Sequence, residues 1–404
     1  MLFAPQAELH CDLLEFDRPD HDAALGWFLS GGAAEEAQRL AAALYFFWYT
    51  RGWFVTGLRW LRATLAAEAQ VEPLVRLRAE VGLAQLAFIA GDYLASFAAI
   101  ESALPAARRL GDDVVVARCL ATAGYVWWLL DPERSAALFE EGLEAAGRSG
   151  DGWTRSTGLA GLGWARYFAG CFGAAIGPLR EAIELTARSG RRQQFAMAVL
   201  GRAAVELWLG QLAAAEASAQ QALDMLRAVG DATWTSAALA IMAEIERARG
   251  RLETAGHHAA EAIEVAGRAN SAINVMIATG HLGRILLARG ESGAAGHLDR
   301  AVQLARGFAV RPLLAWWLDS LGELAELEGR YGDARSWYEQ AVGHAAGCGL
   351  AADAARARHH LGRLAWMTAT GHRRSTAAMR RWPGNSKLAT TWGWPKHWRP
   401  SVAC

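Results

Sequence analysis

The sequence predicts an all-α chain: a superhelical solenoid of about eight helix pairs repeating roughly every 40 residues. Three observations predict it, namely a ladder of glycines, a helical apolar pattern on both sides of each rung, and small residues held in phase with the ladder. The rungs are Gly52, Gly91, Gly170, Gly210, Gly250, Gly290 and Gly329, spaced by 39 or 40 residues once Leu130 is counted as the rung inside WWLLDPE. Glycine suits a tight turn because it tolerates positive φ. LGRILLARG-ESGAAGHLDRAVQLA shows the flanking pattern, which reads as helix, turn, helix.

The third observation is the small residues. Seven positions before the rungs stand Ala84, Ala123, Gly163, Ala203, Ala243, Gly283 and Gly322. Five positions after them stand Ser96, Ser135, Ala175, Ala215, Ala255, Ala295 and Ala334. Twelve after them stand Ala103, Gly142, Ala182, Ala222, Ala262 and Ala341, with Val302 the exception. Such residues are expected where antiparallel helices approach closely, because a bulky side chain would push the pair apart.

This small–glycine–small–small spacing resembles the tetratricopeptide repeat, with LGELAELEGRYGDARSWYEQAV its clearest copy. The resemblance implies a right-handed superhelix. The standard repeat has 34 residues. The five or six additional residues fall around a second set of glycines, Gly111, Gly150, Gly190, Gly230 and Gly349, and imply longer helices or loops between pairs. The long form resembles the repeat array of bacterial signal-transduction ATPases, particularly those ending in a LuxR-type DNA-binding domain. HDAALGWFLSGGAAEEAQRLAAALYFFWYTRGWFVTGLRWLRATL, from His21 to Leu65, resembles the helical stretch that joins the nucleotide-binding module to the repeats in that group. The resemblance covers Asp20 to about Trp366 and implies a bacterial protein.

Expected boundaries follow. Residues 1–19 lead in, 20–77 form a divergent helical segment with the first repeat-like pair, and 78–350 hold seven repeats. Residues 351–366 begin an incomplete repeat, and 367–404 form an irregular tail. Apolar residues make up 53% of the chain and charged residues 20%, enough for a folded core. Lys and Arg together balance Asp and Glu at 41 each, so the whole chain has no long-range field to draw nucleic acid or an anionic membrane. Cys11, Cys119, Cys171, Cys348 and Cys404 are scattered without CxxC, which fits a reducing cytoplasm. No apolar run reaches bilayer length.

Catalytic motifs are missing. There is no GxxxxGK[ST], so ATP is not expected on this chain, and no helix-turn-helix follows the repeats. No GxSxG elbow and no cysteine or serine with recognisable partners occurs, so the chain is expected not to be an enzyme and to need no cofactor. His257, His258 and Glu261 sit within one helical turn, but the adjacent histidines diverge around the helix and no third ligand presents itself; a solvated face is the better reading and no metal site is expected. Gly158, Gly161 and Gly163 lie inside a helix with no strand before it, so they read as packing glycines.

The resemblance further implies that the first helix of each pair lines the concave face, with positions three and six before the rung pointing inward. These are Gln85, Phe88, Gly124, Trp127, Trp164, Tyr167, Ala204 and Leu207, then Glu244, Arg247, Arg284, Leu287, Glu323 and Glu326. A protein, peptide or small-molecule effector is the expected partner, with Phe88, Trp127, Trp164 and Tyr167 as an aromatic clamp and the charged half fixing register. The opposing reading is ordinary: tryptophans at helical spacing fill core, and the charged positions bridge adjacent repeats. The function expected is a binding scaffold, the sensor region of a LuxR-type regulator or else a free-standing adaptor. In the tail, Arg374 and Arg381 occupy positions that should be small, and both lysines, Lys387 and Lys396, accompany Pro383, Pro395 and Pro400. That tail reads either as an altered reading frame or as a direct nucleic-acid contact.

Overall fold

The computed structural model describes residues 13–67 and 70–370. A helical turn at 13–16 leads into eighteen helices, and no strand occurs among the described residues. Helix α1 (Arg18–Ser30) precedes the first pair, α2 (Ala34–Thr50) with α3 (Phe54–Ala66). Seven pairs follow: α4 (Pro73–Ile89) with α5 (Tyr93–Leu110), α6 (Asp113–Trp127) with α7 (Pro132–Ser149), and α8 (Gly152–Phe168) with α9 (Phe172–Ser189). Then come α10 (Arg192–Trp208) with α11 (Leu212–Ala228), α12 (Ala232–Ala248) with α13 (Leu252–Arg268), α14 (Ala272–Arg289) with α15 (Ala294–Gly307), and α16 (Arg311–Leu327) with α17 (Tyr331–Ala346). The last helix, α18 (Ala351–Thr370), runs past Trp366 to the end of the described residues. Arg374, Arg381 and the rest of the tail lie beyond them.

Local chemistry sets the helix ends. Asp92, Asp112, Asp131 and Asp231 each accept from the backbone N–H three residues on, capping α5, α6, α7 and α12. Asp131 and Pro132 thereby turn the chain where Leu130 replaces the glycine rung. The seven glycine rungs all have φ between +71° and +81°. The second ladder is left-handed as well, with φ between +68° and +73° at Gly111, Gly150, Gly190, Gly230 and Gly349, and it is completed by two residues that composition hides, Asn270 at φ 53° and Ala309 at φ 57°. Asparagine tolerates this conformation, whereas alanine is strained there. Ala309→Gly is therefore expected to raise stability by about 0.5–1 kcal/mol, the relief of strain exceeding the added chain entropy, and a urea midpoint that falls instead would refute the strain.

Each helix packs on the next in sequence, and each first helix from α4 onward also packs on the first helix of the following pair. The small residues mark the crossings. Ser96 Oγ donates to the Ala84 carbonyl at 2.8 Å, joining the two phased positions directly. A Cβ on Gly163 would stand 2.4 Å from Leu179, and one on Gly322 2.4 Å from Tyr338. One repeat departs from the expected phase. After Gly290 the helix starts two residues late, and the buried small residues are Ala294 and Ala301, with Ala295 only half-buried. The phase has moved by one residue, which explains why Val302 broke the pattern.

The solenoid winds tightly enough for distant repeats to meet across its axis. Phe46 meets Trp153 edge-on at 5.6 Å between ring centroids, Trp128 meets Trp234 at 5.9 Å, and Trp208 meets Trp316 at 5.7 Å. The partners are 106 to 108 residues apart in every case. The largest apolar cluster accordingly runs from Ala121 to Ala357 as one body.

Candidate functional site

The inner face encloses an aromatic cavity of about 910 Å³, its open mouth included. Two sets of first helices wall it from opposite sides. The early repeats present the C-terminal ends of α4, α6 and α8: Phe88, Trp128, Trp164, Tyr167 and Phe168. The later repeats present the N-terminal halves of α12, α14 and α16. There Trp234, Ala237 and Ile241 stand 16, 13 and 9 residues before Gly250, Asn274, Ile277 and His281 the same distances before Gly290, and Leu313 and Trp316 at 16 and 13 before Gly329. One helical stripe, repeated three times, thus faces the ends of helices from nearly three repeats earlier. A smaller chamber adjoins it through shared Phe88, Ile89 and Trp234, with Gln85, Thr122, Tyr125 and Thr157 in its wall.

Rings hold one another in place. Trp128 meets Phe88, Trp164, Phe168 and Trp234, all at 5.3–6.5 Å between centroids. Two indoles are anchored by hydrogen bonds, Trp164 Nε1 to the Met197 carbonyl at 3.2 Å and Trp208 Nε1 to the Tyr167 hydroxyl oxygen at 3.0 Å. Asn274 Nδ2 donates to the Thr233 carbonyl at 2.7 Å, which ties α14 to α12 beside the cavity. Burial pushes the hydroxyls of Tyr93 and Tyr167 up, so both stay protonated.

Of the aromatic clamp expected from sequence, Phe88, Trp164 and Tyr167 reach the cavity and Trp127 does not. Trp127 turns toward the second helix of the preceding pair, edge-on to Phe97 at 5.7 Å, with the Arg134 guanidinium 3.8 Å above its ring. Its neighbour Trp128 takes the central place. Gln85 lines the smaller chamber, whereas Leu207 is core. Besides Trp128 and Phe168, the residues that sequence reasoning missed are those of the later repeats, Trp234, Ile277, His281 and Trp316 among them. Their signal was present as a repeated stripe at 16, 13 and 9 before the rung, but it reads as one more buried face until the superhelix closes.

The charged half of the expected groove is a set of buried and half-buried ion pairs within and between neighbouring first helices. Glu244, 5% exposed, accepts from Arg247 at 2.9 Å, from Arg284 at 3.1 Å and from His281 Nδ1 at 2.8 Å. Burial alone would raise its pKa, but Arg247, Arg284 and His281 outweigh it and hold the carboxyl well below the usual range. Burial, then the neighbouring Arg247, pushes Arg284 down to about 10. Further along, Asp319 accepts from Arg356 at 2.9 Å and from His360 at 3.0 Å, and Glu326 accepts from Arg363 at 2.8 Å and Tyr338 at 3.0 Å. Glu323 lies 3.7 Å from His360. These five groove positions therefore stitch repeats together, their charges directed at one another.

The other singled-out clusters have structural employment. Glu261 pairs with Arg227 at 2.6 Å, and no group of three His, Cys, Asp or Glu suited to a metal occurs among the described residues. Gly161 and Gly158 make room for Phe139 and Leu143, as Gly163 does for Leu179. No described helix is long and apolar enough to cross a membrane.

No protein-family model matches the chain, and no curated protein does either. Solved structures share the fold. A Rap protein complexed with competence and sporulation factor superposes with a TM-score of 0.58 at 12% identity, covering 83% of this chain and 99% of that one. The apo form of RapI gives 0.50 at 10% identity, over 71% and 99%. A signal transduction ATPase with numerous domains and a tetratricopeptide repeat sensor, from Pyrococcus horikoshii, gives 0.50 at 14% identity, covering 90% of this chain and 52% of that one. This chain is thus a tetratricopeptide-like helical scaffold, spanning about half the length of the ATPase it resembles.

Proposed function

We propose that this chain is an effector-binding scaffold without catalytic activity of its own, and that the aromatic cavity on its inner face is the effector site. One observation carries the reading: the cavity is walled on one side by α4, α6 and α8 and on the other by α12, α14 and α16. An occupant would touch both sets at once. Binding energy gained there favours the tightly wound form over any more open one, so occupancy is converted into a change of superhelix population. The sequence supports the absence of catalysis, since it lacks the nucleophile, P-loop and metal-ligand patterns.

The cellular role we propose is that of the sensor segment of a LuxR-type signalling ATPase. The stretch from His21 to Leu65 supports it, as does the shared fold with an ATPase that carries a tetratricopeptide repeat sensor. A reading frame encoding a P-loop module immediately upstream is the expected genomic finding, and a free-standing gene among unrelated neighbours would favour an adaptor instead.

Ala237 gives a clean test because it is a half-buried wall residue with room in front of it. Ala237→Phe should fill the cavity while leaving the helix intact. The full chain is expected to bind the neutral dye Nile red with a blue-shifted emission, and the variant to lose at least about tenfold in affinity with an unchanged urea midpoint. Equal dye binding by both proteins would remove the cavity as the site.

A further inference from the structure

No carboxylate, guanidinium or ammonium lines the cavity or its side chamber, so an ion entering either would shed its hydration and find no counter-charge on the walls. The indole nitrogens of Trp234 and Trp316 are fully enclosed, and an occupant cannot reach them. The wall stripe of α14 differs, because two of its side chains present pure acceptors. His281, 7% exposed, gives its Nδ1 to Glu244 Oε1 at 2.8 Å and stands edge-on to Trp317 at 5.4 Å between ring centroids. A carboxylate can only accept, so the proton of the neutral ring sits on Nδ1 and Nε2 keeps its lone pair. That Nε2 has no partner among the described residues, and it is not enclosed. Asn274, two turns earlier on the same stripe, spends Nδ2 on the Thr233 carbonyl at 2.7 Å and on Ser236 Oγ at 2.9 Å, which leaves Oδ1 likewise unpartnered and not enclosed. Wall hydroxyls such as that of Ser271 both donate and accept, and so select for neither.

We propose that the cavity takes a neutral, ring-bearing apolar compound that carries a hydroxyl or N–H donor, its body packed against the aromatic walls and its donor given to His281 Nε2. This rests on the reading of the cavity as the effector site. Glu244 fixes which imidazole nitrogen is the acceptor, and Glu244 and Trp317 together hold the ring, so the acceptor is in place before a ligand arrives. The aromatic walls match a flat apolar body, and the bare nitrogen selects a donor over an ether or a plain hydrocarbon. Asn274 Oδ1 stands seven residues earlier, about 10 Å along the helix, so a compound of that length with donors at both ends would engage both acceptors.

Calorimetric titration of the full chain with four naphthalenes of similar bulk tests this, at about pH 8, where an ordinary imidazole is neutral. Naphthol is expected to bind tightest, methoxynaphthalene about five- to tenfold more weakly because its oxygen carries no donor, and naphthoate and naphthylmethylammonium at least about 100-fold more weakly than naphthol. Equal affinity of the wild-type chain for naphthol and methoxynaphthalene would overturn the donor. His281→Asn replaces the Nδ1–H donor to Glu244 with an amide and has nothing in the place of Nε2, so it should bring those two affinities together. His281→Phe, which keeps a ring against Trp317, should do the same. A naphthol preference that survives both variants, or that disappears only in Asn274→Leu, overturns His281 as the anchor. If an ion binds as tightly as naphthol and Ala237→Phe blocks it, the neutral ligand class is overturned while the effector site stands. If none of the four binds, or Ala237→Phe blocks none of them, the site itself falls.

Discussion

Replacing Phe139 by alanine is expected to cost about 3–5 kcal/mol, the range for deleting a buried aromatic side chain whose space is not refilled. Phe139 is fully buried in α7, and its ring lies between two glycines of successive first helices. A Cβ on Gly124 would stand 2.7 Å from the ring and one on Gly161 2.2 Å. Glycines have no side chain with which to close over the vacated slot, so the cavity persists. The converse change is informative as well. Gly161→Ala would ordinarily gain about 1 kcal/mol of helix propensity, but here the added methyl overlaps a fully buried ring, and overpacking at about 1–3 kcal/mol should win. Because stability in a repeat array is nearly a sum of neighbour terms, hydrogen exchange should quicken first in α6, α7 and α8 and little in α16 to α18. Unchanged exchange in those three helices would show that the ring does not hold the repeats together.

Glu244→Ala should be comparably damaging. It leaves Arg247, Arg284 and His281 sharing a buried site with no carboxylate, and breaking a buried ion pair by removing one partner costs about 3–5 kcal/mol. The effect has a pH signature whose sign follows from the lowered pKa. The unfolded carboxylate titrates near about 4.3, and the folded one well below that. Its stabilisation is therefore fully present above the unfolded value and is lost as pH falls from there through the folded value. Asp319 behaves in the same direction, burial being outweighed by His360 and Arg356. The wild-type urea midpoint should fall steeply below about pH 4. Glu244→Gln, which keeps the shape and removes the charge, should flatten part of that slope, and adding Asp319→Asn should flatten more. A slope identical in all three proteins would mean that these carboxylates do not govern acid unfolding.

Much of the fold was legible because it is locally determined. Glycine is needed where φ is positive, and the rungs from Gly52 to Gly329 reported that need directly. Aspartate caps and small residues at close crossings are likewise short-range requirements, read from spacing alone. The failures have local causes too. Asn270 and Ala309 adopt the turn conformation without the residue that announces it, and the repeat after Gly290 starts its second helix late, which carried Ala294 into the place expected for Ala295. At the candidate site, Trp127 and Trp128 are adjacent on a helix end where no glycine rung sets the phase, and the spacing rule selected the one that faces Phe97.

By itself, then, the sequence determined the helix pairs, their period and the residues at every crossing but the one after Gly290, since all of these depend on neighbours within about one repeat. The tertiary structure decided whether the inner positions form a shallow groove or a cavity walled on two sides, and which of them meet. That outcome is set by the rotation from each pair to the next, accumulated over nearly three repeats before Trp128 comes to face Trp234. A small change of angle per repeat grows with every pair added. The physical reason for the division is that local patterns fix each step of the winding, whereas a contact across the axis depends on the sum of the steps.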